Sequence, residues 1–511
     1  MLFNSYIFIL FFLPVTVVVY FLINRFQKNQ QARTDLWWLF LMSLWFYGYA
    51  NPIYLILILV SIGVNFGVTG RITANRKKEK KKIARNWMAV GVFFNLGLLF
   101  YFKYYDFFIE NMNHLFQKDW ELKEIMLPLG ISFFTFQQIS YVVDCYREKE
   151  VICYNFVEYA AYVTFFPQLV AGPIVMHSEL VPQMCDKTKK KVSYENLSLG
   201  LYALALGLGK KVLVADTLSK IVNVGYAEIN SLNGISAFVI MLSYTLQIYF
   251  DFSGYCDMAL GMAQMFNIEL PINFNSPYKA KTVSEFWERW HMTLTRFFTH
   301  YVYIPMGGNR KGKIRTYLNT MIVFLLSGIW HGANWTFVLW GAVHGLFMTM
   351  EKIIKDFVKE KKKIGSERAS FAQRLGGLCG RILGHIYVFS FVNLTWVIFR
   401  SESITKALDL LRRLFISGSD ISMNIIDKIE NIVEIKLLFR LGAGIILSAA
   451  SYLPCVLILV ILCMGVFFMK NTQEKLREKK LDAVRSAITV FLLVWSIISF
   501  SDVSEFLYFN F

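Results

Sequence analysis

Thr316–Met350 reads TYLNTMIVFLLSGIWHGANWTFVLWGAVHGLFMTM, 35 consecutive positions without a Lys, Arg, Asp or Glu. As one straight helix it would reach about 52 Å at 1.5 Å per residue, against a hydrocarbon core of about 30 Å. The run must therefore tilt, break or fold back, and Gly332-Ala333-Asn334 is the expected break. His331 sits beside that point, between Trp330 and Gly332. An imidazole in so apolar a segment is expensive to keep unless it faces a cavity, a polar partner or a reaction. A free imidazole titrates at about 6.5, which suits it to moving protons near neutrality. A histidine bonded to a carbonyl at a helix break is the plainer alternative.

The rest of the chain has the same character. Of 511 residues, 56% are hydrophobic and 17% aromatic, with a mean hydropathy of +0.45. Ordinary soluble domains are about 45–50% apolar, and here the excess forms long uncharged runs. Spans are expected at 5–24, 36–50, 52–70, 87–105, 127–145, 155–175, 196–223, 233–266, 316–350, 377–399, 441–469 and 486–501. The fold class that follows is an all-α polytopic membrane protein with broken or re-entrant segments. Residues 1–400 read as a membrane core and 401–511 as an extension of the same domain. Within that extension, Ile404, Leu408, Leu411 and Phe415 recur at helical spacing opposite Lys406, Asp409, Arg412 and Arg413. That pattern suits a helix lying in the membrane interface.

The net charge is +17, yet the basic residues lie between hydrophobic segments and not along one soluble face. This argues against a nucleic-acid partner and for the positive-inside rule. Arg76-Lys77-Lys78-Glu79-Lys80-Lys81-Lys82, the 352–368 segment and Lys470–Lys480 then belong to the cytoplasm, which places the N-terminus and the Asp106–Glu124 connection outside. Met1–Tyr20 lacks a basic n-region and a small-residue cleavage site, so it reads as a retained span. Seven scattered cysteines form no C-x-x-C pair and imply neither a disulfide framework nor zinc.

Two further constellations stand out. Phe286-Trp287-Glu288-Arg289-Trp290-His291, read as a helix continuing toward Pro305, gathers Glu288, Arg289 and His291 within a turn. It suits either an interfacial anchor or a site shared with His331. Tyr249-Phe250-Asp251-Phe252-Ser253-Gly254-Tyr255-Cys256-Asp257 puts two carboxylates in an apolar segment, as a strut between helices or as the wall of a polar cavity. His344 lies roughly 20 Å from His331 along a continuous helix, so its approach depends on the expected break. The seven histidines give no H-x-x-x-H or H-E-x-x-H metal pair, and the chain holds no Walker loop or G-x-S-x-G elbow.

Together, Leu127–Phe133, Phe165–Pro173, Tyr249–Tyr255, Phe286–His291 and Ser327–Gly332 resemble the ordered motifs of the membrane-bound O-acyltransferases. Within that family the chain is most similar to the bacterial alginate O-acetyltransferase branch, with the teichoic acid D-alanyl transferases as shorter relatives. The resemblance implies a ring of roughly 11–12 tilted helices around a central tunnel. It implies that His331 matches the family's essential histidine, with His291 as a second catalytic position. Trp290, Arg289, Trp330, Asn334, Asp251, Tyr249 and His344 are expected to line the substrate path.

The implied chemistry is acyl transfer, most simply acetyl, from a cytoplasmic thioester such as acetyl-CoA to an extracytoplasmic polysaccharide. An SGNH-type transferase is the expected partner, the bacterial inner membrane the expected location, and no cofactor is bound permanently. His331 would act as general base or as a transient acyl carrier, and His291 would orient the thioester or assist proton transfer. Arg310, Lys311, Lys313 and Arg315 are candidates for the donor's phosphates, or simply a solvated positive-inside loop. D-alanyl transfer, a polysaccharide or lipid transporter using the same polar cavity, and a silent scaffold are the competing readings.

Overall fold

The computed structural model describes residues 1–27, 32–363, 370–418, 453–478, 482–502 and 506–507, with the backbone alone at 359–363, 370–379, 453–455 and 501–502. Among the described residues the regular structure is helical, with one isolated antiparallel bridge between Phe274 and Trp290 and no strand. Among the described residues seven helices are long and apolar enough to cross a bilayer: Phe8–Phe26, Ile53–Lys77, Lys81–Phe116, Tyr194–Ala227, Gly234–Met265, Trp335–Val358 and Gly380–Arg400. Val456–Phe468 and Ala483–Ile498 are shorter apolar helices. The chain is a polytopic all-α membrane protein. Residues 441–452 of the expected eleventh span lie outside the described residues.

Three expected spans are built differently. Segments 36–50 and 127–145 appear as Thr34–Gly48 and Ile131–Arg147, of 15 and 17 residues. Segment 155–175 is two short helices, Phe156–Thr164 and Phe166–Leu169. A capping box between Asn155 and Glu158 opens the first. Phe165 leaves the helical conformation (φ −48°, ψ 105°), and Pro167, which has no N–H to continue the first helix, sits in the first turn of the second.

The charge-free run is a helical hairpin. Lys313–His331 ends where Gly332 becomes extended (φ −168°, ψ 156°), and Trp335–Lys363 begins where the Asn334 side-chain oxygen accepts the Thr336 N–H at 3.0 Å. The two backbones are in contact. A Cβ on Gly328 would lie 2.3 Å from the Phe337 carbonyl oxygen, and one on Gly341 2.4 Å from that of Phe324. The break is where the sequence places it.

The chain forms two compact units, Met1–Gly209 with Gly254–Ile272 and Leu476–Asn510, and Lys210–Ser253 with Asn273–Lys475. The first is tied by buried polar contacts between helices: Asn95 to Asn65 at 2.6 Å, Gln138 to Ser61 at 2.9 Å and Tyr159 to Gln138 at 3.0 Å. The second contains a buried ionic group that explains one of the intramembrane carboxylates. Lys211, in a π-helical turn, holds Asp251 at 2.7 Å and Asp216 at 2.8 Å, with all three residues at most 4% exposed. Asp251 is therefore a strut in an ion pair; Asp257 belongs to the first unit and is also buried. The helix Ile404–Arg413, capped by Ser403, buries Ala407 and Leu410 and leaves Ile404 and Leu408 exposed.

Candidate functional site

The site grows from a break in what the sequence suggests is one helix. Thr282 caps the helix Val283–Arg289, accepting the Glu285 N–H at 3.0 Å, and a new helix runs over Met292–Phe298. Between them the backbone pairs with an extended segment. The Asn275 N–H donates to the Arg289 carbonyl and the Met292 N–H to the Asn273 carbonyl, both at 3.0 Å. His291, at the turn, takes the left-handed conformation (φ 45°, ψ 51°), a region that non-glycine residues occupy at a cost. It is 0% exposed. Glu288, Arg289 and His291 consequently do not share one helical turn.

Asn273 fixes the state of His291. Its side-chain oxygen accepts the Thr293 backbone N–H at 3.2 Å and the Thr293 hydroxyl at 3.0 Å, and stands 3.1 Å from His291 Nδ1. The Thr293 N–H can only donate, so the Asn273 atom is the oxygen, and the amide orientation follows. An amide oxygen only accepts, so Nδ1 carries the proton. The neutral ring then has its lone pair at Nε2.

His331, the last residue of its helix and 3% exposed, lies in an aromatic enclosure. Trp330, Trp340 and Phe399 surround it with ring centres at 5.0, 5.3 and 5.2 Å. The His291 ring is 6.5 Å away, itself flanked by Phe252 at 4.8 Å and Trp330 at 6.0 Å. Two histidines 40 positions apart in sequence thus come together in one buried aromatic enclosure.

A cavity of about 270 Å³ is lined by residues of the two helices that His291 and His331 bound, and by neither histidine itself. One wall is the stripe Thr320, Val323, Phe324 and Ser327, and the next positions at helical spacing are Trp330 and His331. The opposite wall is Leu294, Thr295 and Phe298, which follow His291 by one and two turns. Each wall therefore belongs to a helix that a histidine bounds. Toward the other end Glu288 and Lys352 supply charge; the Lys352 ammonium donates to the Thr320 hydroxyl at 2.7 Å and sits 5.6 Å from the Tyr303 ring centre.

The remaining expected lining residues divide. The hairpin brings His344 close, since its ring and that of His331 both pack on Trp340, at 4.7 and 5.3 Å. Both His344 nitrogens are engaged: Trp287 Nε1–H donates to Nδ1 at 3.2 Å, and Nε2 is 3.1 Å from the Thr395 hydroxyl. Trp Nε1 only donates, so the His344 proton is on Nε2, the reverse of His291. Trp290 and Tyr249 belong to a buried ring cluster with Phe274, Tyr278 and Phe286. Arg289 is occupied by Glu285 at 2.9 Å and the Asn275 carbonyl at 3.1 Å. Asn334 caps its helix and donates to the Glu402 carbonyl at 2.9 Å. Sequence reasoning missed Asn273, Trp340 and Lys211. For Lys211 the signal was available, as a lysine inside an apolar span that also demands a partner for Asp251.

Comparison with known proteins adds the chemistry. Residues 87–362 match the model of MBOAT, the membrane-bound O-acyltransferase family. The chain is 37% identical to the peptidoglycan O-acetyltransferase of Helicobacter pylori, over 100% of this chain and 98% of that protein. It is 34% identical to the probable alginate O-acetylase AlgI of Pseudomonas aeruginosa, over 82% and 76% of the two chains. The teichoic acid D-alanyltransferase of Bacillus subtilis is more distant, at 26% over 54% of this chain and 69% of its own.

Proposed function

The chain belongs to the membrane-bound O-acyltransferase family and is an O-acyltransferase, and from that premise we propose that it moves an acetyl group from cytoplasmic acetyl-CoA to hydroxyls of an extracytoplasmic glycan. The observation that carries this reading is the approach of the His291 and His331 rings to 6.5 Å within one aromatic enclosure. Peptidoglycan is the first acceptor to test, because the relative named for it matches over the full length of both chains. An SGNH-type partner would complete the transfer outside the bacterial inner membrane. The N-terminus would face outward, as the positive-inside rule favours.

In this mechanism the acceptor oxygen attacks the thioester carbonyl carbon while His331 takes the hydroxyl proton. The C–S bond breaks with its electron pair on sulfur, and the proton passes to the thiolate. His291, protonated at Nδ1 and bearing a lone pair at Nε2, can accept a proton or hydrogen bond there but cannot donate one while neutral. Of its two expected roles, orienting the thioester or assisting proton transfer, the second is the one that a lone pair at Nε2 supports. The rings of Phe252, Trp330, Trp340 and Phe399 keep bulk water from competing with the acceptor. Lys352, with Arg310, Lys311, Lys313 and Arg315 on the preceding connection, would receive the donor's phosphates.

The test supplies purified protein in liposomes, with its SGNH-type partner, with labelled acetyl-CoA on one face and peptidoglycan fragments on the other. Base-labile label on the glycan supports the reading. Label transferred only from a D-alanyl carrier, or to an alginate-type uronate polymer and not to peptidoglycan, would replace the acyl group or the acceptor. No transfer from any thioester would leave transport as the better account.

A further inference from the structure

Within the first unit, two basic segments about 150 residues apart in sequence meet around a second cavity, of about 260 Å³. Its lining includes Asn24, Gln27, Arg33, Asp35, Lys187 and Lys190. Lys190 is held by the Asp35 carboxylate and by the Tyr20 hydroxyl at 3.1 Å, and Arg33 by Glu158 at 3.0 Å. These ion pairs fix where the cations stand without cancelling the local charge. Across Arg25, Arg33 and Lys187–Lys191 the sequence supplies six cations against Asp35, Glu158 and Asp186. Burial works against the charge on Lys190, but Tyr20 and Asp35 outweigh it and its pKa stands above the ordinary lysine value.

Arg33 is itself unusual. It takes a left-handed backbone (φ 48°) at the N-cap of the helix Thr34–Gly48, whose positive end therefore adjoins the cavity. A guanidinium fork, two ammonium groups, two amide side chains and a helix N-terminus are the groups that bind a multi-oxygen anion. The cavity is roomy enough for a phosphate together with a polar group attached to it. Both loops lie on the side that the positive-inside rule assigns to the cytoplasm, where lipid headgroups and soluble phosphates are both present.

We propose that this cavity is a phosphate-binding site, separate from the histidine site and taking either an anionic phospholipid headgroup or a soluble phosphate ester. Nothing in the acyl-transfer reading requires it. Cys185 also lines the cavity and is partly exposed, so it reports occupancy, while the exposed Cys153 does not line it and serves as an internal reference.

The experiment measures maleimide labelling of the full-length protein in detergent, read by peptide mass spectrometry. One arm adds phosphatidylglycerol against phosphatidylcholine, and the other adds inorganic pyrophosphate against chloride at equal ionic strength. The proposal expects one arm to slow Cys185 labelling at least fivefold relative to Cys153, and the arm that does so identifies the source. In Arg33→Ala/Lys187→Ala the protecting concentration should rise at least tenfold, whereas Lys77→Ala/Lys78→Ala, which removes the same charge elsewhere, should leave it unchanged. Unchanged Cys185 labelling in both arms overturns the proposal, as does equal weakening in the two double variants. The wild-type protection measurement decides the matter if the first double variant fails to fold.

Discussion

Replacing Asn273 separates a positioning role from simple packing. One oxygen accepts three hydrogen bonds, from His291 Nδ1, the Thr293 N–H and the Thr293 hydroxyl, all buried. Asn273→Leu has similar volume and no acceptor. It leaves the Thr293 N–H without its partner at the start of the Met292–Phe298 helix, which costs about 1–3 kcal/mol in stability. It also removes the bias toward the Nδ1–H tautomer, worth about 1 kcal/mol for a neutral hydrogen bond, so the competent tautomer falls and turnover drops by about twofold to fivefold. Asn273→Asp keeps an acceptor in place and should retain the tautomer. Thermal unfolding, acetyl-transfer kinetics and ¹⁵N shifts of labelled histidine give the three readouts. The reasoning fails if Asn273→Leu, folded at the assay temperature, turns over at the wild-type rate, or if wild-type His291 carries its proton on Nε2.

Three other outcomes follow from the packing. Gly328→Ala drives a Cβ to 2.3 Å from the Phe337 carbonyl, a backbone atom that cannot swing away; it should destabilise the hairpin by about 1–3 kcal/mol, read by thermal unfolding. Lys211→Met strands Asp216 and Asp251 and should cost about 3–5 kcal/mol, while Lys211→Met/Asp216→Asn/Asp251→Asn should recover much of that loss. Failure of the triple variant to melt above the single one would contradict the ion-pair account. His344→Ala removes the partner of Trp287 and should lower the unfolding temperature while leaving measurable turnover, because both of its nitrogens are already engaged.

Much of this architecture is legible in the chain because membrane spans obey length and charge rules. The hairpin break at Gly332 follows from a run too long for the bilayer, and that break folds His331 onto the Trp340 ring, on which His344 of the same helix also packs. The helix expected to continue past Phe286 is broken for a tertiary reason. Its interruption at Trp290–His291 comes from pairing with residues 273–275, which no local periodicity reveals. Asn273 was illegible for the same cause: an asparagine in an extended stretch becomes significant only once its oxygen is seen beside an imidazole. Arg289 and Asn334, expected on the substrate path, serve instead to fix a helix end and a helix start, roles that share the polar residue types of a cavity wall.

The central claim is that His331 performs the transfer, and single-turnover acetyl transfer by His331→Ala tests it most directly. The protein is reconstituted with labelled acetyl-CoA, its SGNH-type partner and its acceptor, and compared with wild type at equal folded concentration. The account predicts a fall of at least 10²-fold in the chemical step, with the protein still folded and still binding acetyl-CoA. Acetylation at the wild-type rate by His331→Ala would contradict it.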